Sequence, residues 1–65
     1  MNIIVNGKQE HVTEHENLQQ LLEARGLNRG FAVMLNRQLV TRSEYPNTRL
    51  ADQDQVDIIV PMQGG

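Results

Sequence analysis

A chain of 65 residues holds one domain with one thin core, since a domain of this size buries only about 60% of the surface its unfolded chain exposes. No deep catalytic pocket is expected, so function should sit on the surface or at an end, and the absence of cysteine excludes disulfides, zinc–thiolate sites and a thiol nucleophile carried by this chain. With 6 basic and 8 acidic residues, a net charge of −2 and Lys8 as the single lysine, there is no basic cluster of the kind that binds nucleic acid.

The chain opens with an extended run. Met1 to Val5 lacks the basic and long apolar regions of a signal peptide, and no apolar run approaches the ~18 residues of a membrane span. A soluble, cytoplasmic protein is the expectation. Asn6-Gly7 separates two extended runs and predicts a two-residue type I′ hairpin, whose central residues both need positive φ. Such a loop pairs Val5 with Lys8, Ile3 with Glu10 and Met1 with Val12. Met1, Ile3, Val5 and Val12 then share the core face. Glu10 falls on that face too, so either it lies at the sheet margin or the loop departs from this two-residue form.

A helix from about 17 to 25 follows. Asn17 is the N-cap, and Gln20 three residues later makes a capping box. Glu14 and Glu16 lie where the helix dipole favours negative charge. Leu18, Leu21 and Leu22 form one apolar stripe. Gly26 suits the left-handed position after the helix, with Leu27 folding back onto Leu22 in a Schellman contact. Phe31 to Leu35 reads as a strand, Asn36-Arg37 as a turn, and Gln38-Leu39-Val40 as a short return strand. Ser43 to Arg49, with Pro46, reads as a loop or single turn. Ala51-Asp52-Gln53-Asp54 is a further turn, and Val56 to Val60 is the last strand, ended by Pro61.

The order β-β-α-β-β-β is that of an α+β, β-grasp domain: a mixed sheet of about five strands on one helix. The crossover rule places the last strand parallel to the first, in the centre of the sheet. The domain is expected over residues 1–60, with residues 61–65 as a flexible C-terminal tail. If Ile3 and Ile58 face the helix, Ile4 and Ile59 face away on neighbouring strands, and Met34 and Ala32 join them if Val33 and Leu35 point inward. Ile4, Ile59 and Met34 are therefore the candidate partner-docking residues, weighed against an ordinary half-exposed sheet face.

Other constellations are weaker. His11 and His15, four apart and near Glu14 and Glu16, would form a metal pair only on a single helix. Here they fall on a strand and in a loop, and read as solvated. Asp52, Asp54 and Asp57 lack the glycine and glutamate of a calcium loop. Met34 and Met62 read as filler of a small core. No bound metal or cofactor is expected.

The chain ends in Gly64-Gly65. Gly is about 7% of residues on average, so such a pair closes roughly 0.5% of chains by chance. Across its whole length the sequence resembles the ThiS family, the ubiquitin-like sulfur carriers of thiamine-thiazole biosynthesis. The likeness runs through Met1 to Asn6, Leu21-Leu22, Leu35-Asn36, Leu39-Val40-Thr41-Arg42, Tyr45, Asp52-Gln53-Asp54, Val56-Asp57-Ile58 and Gln63-Gly64-Gly65. It departs where the family usually has Pro (Thr41), Trp (Tyr45) and Gly (Gln53). If residue 53 needs positive φ, Gln there costs about 1 kcal/mol.

The resemblance implies that the chain is not an enzyme but the substrate of an E1-like adenylating enzyme that uses Mg-ATP. The carboxylate of Gly65 would be adenylated, then converted to a thiocarboxylate with sulfur from a persulfide-bearing donor, and the sulfur given to thiazole synthase. Gly64, Gln63 and Met62 would thread the active site of the partner, where glycines without Cβ let the backbone approach closely. A molybdopterin-type carrier, a ubiquitin-type modifier and a β-grasp interaction module without covalent chemistry are the alternatives.

Overall fold

The computed structural model describes residues 1–61. Its elements are β1 (Asn2–Val5), β2 (Lys8–His11), α1 (Leu18–Ala24), β3 (Ala32–Leu35), β4 (Gln38–Val40), a 3₁₀ helix (Arg42–Asn47) and β5 (Gln55–Ile59). The sheet order is β2-β1-β5-β3-β4. β5 runs parallel to β1 and antiparallel to β3, so the last strand lies in the centre.

The first hairpin has the expected register, with Val5 opposite Lys8 and Ile3 opposite Glu10. Asn6 (φ 50) and Gly7 (φ 84) both occupy the left-handed region, as a type I′ turn requires. One further rung is added by Met1 and Val12: the Val12 N–H donates to the Met1 carbonyl and the Met1 ammonium to the Val12 carbonyl, each at 2.8 Å. Ile3, Val5 and Val12 are buried and Met1 packs beside them. Glu10 stands on edge strand β2, where its carboxylate pairs with the guanidinium of Arg25 at the C-cap of α1.

The capping box is complete. The Asn17 side chain accepts from the Gln20 N–H and the Gln20 side chain accepts from the Asn17 N–H, both at 2.8 Å. At the other end the Leu27 N–H bonds the Leu22 carbonyl and the Gly26 N–H the Glu23 carbonyl, a Schellman motif with Gly26 at φ 75. A helix of 7 residues is too short to persist alone. Its stability comes from burying Leu18, Leu21 and Leu22 against the sheet.

Several boundaries move from the sequence expectation. The opening strand spans Asn2–Val5, leaving Met1 out, and the helix is one residue shorter at each end because Asn17 and Arg25 are its caps. Phe31 lies outside β3, and its ring stacks on that of Tyr45 with centroids 6.2 Å apart. The segment expected over Ser43 to Arg49 as a loop or single turn is a 3₁₀ helix over Arg42–Asn47, with buried Tyr45 as its anchor. The following segment ties to the start of α1: the Leu18 N–H donates to the Thr48 carbonyl and the Leu50 N–H to the Glu16 carbonyl. β5 begins at Gln55 because Asn36 binds that residue on both sides, and ends at Ile59, leaving Val60 out. Gln53 does take positive φ (70°), with its N–H bonded to the Asn2 carbonyl at 2.6 Å.

Among the described residues the core joins ten buried side chains between Ile3 and Val56, of which Ile3, Leu18, Leu22, Val33 and Val56 are the most fully enclosed large ones. Among the described residues no polar or charged side chain is buried.

Candidate functional site: the exit of the last strand and the open sheet face

Strand alternation on β5 sends Val56 into the core and Ile58 toward it, and leaves Gln55, Asp57 and Ile59 on the face that α1 does not cover. The same parity on β3 buries Val33, sets Leu35 against the core, and puts Ala32 and Met34 on the open face. Ile4 follows on β1, opposite Gln55. The expected parity therefore holds for Ile4, Ile59, Met34 and Ala32.

Register refines the grouping. Ile4 pairs with Gln55, so Ile59 lies four residues further along β5, roughly 13 Å away at the usual strand rise. Ile59 pairs instead with Ala32, and Met34 with Asp57 and Leu39. The apolar cluster of the open face is thus Ile59, Ala32, Met34 and Leu39, with Gln55 and Asp57 between it and Ile4. Leu39 is 67% exposed, Val60 59% and Ile59 51%. Leu39 and Val60 were not among the candidates named above. Leu39 was accessible to the same reasoning: a two-residue turn at Asn36-Arg37 places it opposite Met34, on the same face.

β5 is held at both ends by asparagines from the two tight turns. Asn36 donates its N–H to the Gln55 carbonyl (2.7 Å), accepts from the Gln55 N–H through Oδ1 (2.9 Å), and donates from Nδ2 to Asp54 (3.0 Å). Asn6 donates its N–H to the Val56 carbonyl (2.9 Å) and accepts from the Ile58 N–H through Oδ1 (2.7 Å). Beyond the end of β5 at Ile59 the chain passes through Val60 to Pro61, which has no N–H to continue a ladder. Met62, Gln63, Gly64 and Gly65, the candidate reactive tail, lie outside the described residues.

The remaining polar candidates have local duties. His11 ends β2, where its Nδ1 lies 3.2 Å from the Asn2 side-chain oxygen, while His15 sits in the turn before α1 at φ 69. Asp52 accepts from the Asn2 N–H at 2.7 Å, and Asp54 accepts from the Ala51 N–H at 2.7 Å. The Asn2 N–H and the Gln53 side-chain amide, with the nearby Met1 ammonium and His11, hold the Asp52 carboxyl below its ordinary value. Among the described residues no group of three His, Cys, Asp or Glu side chains converges as metal ligands, and no helix is long and apolar enough to cross a membrane.

A five-stranded mixed sheet with a central parallel pair, one helix across one face and the last strand leading out is the ubiquitin-like β-grasp fold. Residues 3–65 match the model of the ThiS family. A crystal structure of the thiamine biosynthesis protein ThiS from Geobacter metallireducens is similar with a TM-score of 0.85 and 33% identity, over 100% of both chains. An NMR solution structure of a thiamine biosynthesis protein from the same organism gives a TM-score of 0.83 and 33% identity, over 100% of this chain and 88% of that one. No curated protein matches the chain. The chain belongs to the ThiS family.

Proposed function

We propose that this protein is a sulfur carrier for thiamine-thiazole biosynthesis, with the carboxylate of Gly65 as its working group. Membership in the ThiS family and the likeness to a thiamine biosynthesis protein support the carrier role. The observation that carries the reading furthest is that the family match runs through residue 65, so that it includes Gly64 and Gly65.

A carboxylate is ionised at neutral pH and is a poor electrophile. In the proposed cycle an E1-like partner therefore activates it first. One Gly65 carboxylate oxygen attacks the α-phosphorus of Mg-ATP, and pyrophosphate leaves. The terminal sulfur of a persulfide-bearing donor attacks the acyl carbon and AMP leaves. A thiol then attacks the donor's sulfur in the acyl disulfide, breaking the S–S bond that came from the persulfide; the donor is left in a disulfide with that thiol, and the released thiocarboxylate gives its sulfur to thiazole synthase. The carrier itself supplies no catalytic group, and binds neither metal nor cofactor for this task. Met62, Gln63 and Gly64 thread the channel of the partner, where the missing Cβ of Gly64 allows close backbone approach. The cycle is assigned to the cytoplasm.

The open-face cluster of Ile59, Met34, Ala32 and Leu39 docks the partner, with Ile4 at its far margin. Exposed apolar patches on small domains mark such contacts, and this one adjoins the end of the strand from which the tail departs. The test is ATP–pyrophosphate exchange by the purified adenylating enzyme. Exchange dependent on the intact chain and lost on deletion of Gly65 supports the reading. Equal exchange with the Gly65 deletion refutes it and leaves a non-covalent interaction module.

A further inference from the structure

We propose that Asn6 is a positioning residue for the tail: its side-chain carbonyl takes the Ile58 N–H where β1 turns away from β5, and so sets where the chain leaves the sheet. The inference rests on the carrier reading above. On the β1 side the parallel ladder binds alternate residues. The Ile4 N–H donates to the Asp54 carbonyl at 2.8 Å and the Asn6 N–H to the Val56 carbonyl at 2.9 Å. The next donor on β5 is the Ile58 N–H, and the next acceptor in a regular ladder is the backbone carbonyl of residue 6. Asn6, however, is the first residue of the type I′ turn, at φ 50, which takes its backbone out of the extended form. Its Oδ1 replaces the missing carbonyl, 2.7 Å from the Ile58 nitrogen. Asparagine thus serves twice, tolerating the left-handed region and supplying the acceptor.

The position of this bond gives it consequence. On the β3 side the last pair is Ile59 with Ala32, and Ala32 is the first residue of β3. Val60 is exposed, and Pro61 carries no N–H. Ile58 and Ile59, tied on opposite edges, are therefore the last points at which β5 is held before the tail. Ile59 also belongs to the apolar cluster. A partner that grips that cluster and the terminus together reads the length of chain between them. If β5 frays from Ile58, that length changes, and the freed residues must be ordered again on binding, at an entropic cost for each.

The test compares Asn6→Gly, which favours the turn but has no acceptor, with Asn6→Asp, which keeps both the acceptor and tolerance of the turn. Circular dichroism checks folding, NMR amide exchange follows Ile58 against Val56, and ATP–pyrophosphate exchange with the purified adenylating enzyme gives KM and kcat. Loss of the hydrogen bond from the Ile58 N–H to the Asn6 side chain predicts that Asn6→Gly speeds Ile58 exchange roughly tenfold and raises KM for the carrier by about as much, with kcat little changed. Asn6→Asp restores both. A wild-type KM in Asn6→Gly, or an equal loss in Asn6→Asp with Ile58 still protected, overturns the proposal. If Asn6→Gly does not fold, the Asn6→Asp comparison decides alone. Absence of exchange with the unaltered protein overturns the carrier reading itself, a result distinct from either.

Discussion

Asn17 and Gln20 exchange hydrogen bonds across the first turn of α1, each side chain accepting from the backbone N–H of the other at 2.8 Å. The Asn17 amide nitrogen also reaches the Pro46 carbonyl at 3.3 Å, so one residue joins the helix start to the 3₁₀ helix. Replacing Asn17 by Ala removes the acceptor for the Gln20 N–H. The expected loss is about 1 kcal/mol, a fall in Tm of roughly 4–8 °C for a domain of this size. Thermal unfolding followed by circular dichroism checks it, and an unchanged Tm would show that the cap contributes nothing.

Gln53 holds φ at 70° in the turn that ties to the start of β1. A non-glycine residue there costs about 1–2 kcal/mol, partly offset by the backbone entropy that glycine loses on folding. Gln53→Gly should therefore raise stability by about 0.5–1 kcal/mol. Urea denaturation measures it, and a destabilised variant would show that the Gln53 side chain matters more than its backbone strain.

Asp52 binds its proton more weakly in the folded state than in the unfolded chain, chiefly because the Asn2 N–H donates to the carboxylate. Its contribution to stability is therefore fully present above the ordinary value of 3.8 and is lost as pH falls through its lowered folded value. Asp52→Asn should flatten the stability–pH curve between 3.8 and the lowered folded value, and leave the slope above 3.8 unchanged. Denaturation midpoints across an acid series read this directly. A slope identical in both proteins would remove Asp52 from the account.

On the open face, Ile59→Asp and Leu39→Asp should leave the fold intact, since both side chains are more than half exposed. Each should lower kcat/KM for adenylation roughly tenfold or more, because an unpaired carboxylate is then buried at the interface. Ile4→Asp should weaken it less, given its distance from the cluster. Folded variants with wild-type kinetics would reduce the cluster to ordinary surface.

Much of this arrangement was legible in the sequence because it is locally determined. Asn6-Gly7 implied the hairpin register, the Asn17–Gln20 spacing the cap, and Gly26-Leu27 the end of the helix. Parity then assigned the inner and outer faces of β1, β3 and β5. What escaped depends on partners distant in sequence. Gln55 joins β5 because Asn36 binds it across 19 residues, and Asn6 reaches Ile58 across 52. The 3₁₀ helix at 42–47 is anchored by burial of Tyr45, which polar spacing around Pro46 does not reveal. The separation of Ile4 from Ile59 needed the β1–β5 register, which parity alone does not supply.

The central claim, that Gly65 carries sulfur as a thiocarboxylate, is tested most directly by intact mass spectrometry of the protein purified from its native cell, with fragmentation to place the change. The expected result is a fraction heavier by the replacement of one oxygen by sulfur, located at Gly65 and lost on mild hydrolysis. Among the described residues the ten buried core side chains lie between Ile3 and Val56, so the Gly65 deletion should remain folded and serve as the control, without the heavier fraction. Protein that carries only the unmodified carboxylate during active thiamine synthesis would contradict the claim.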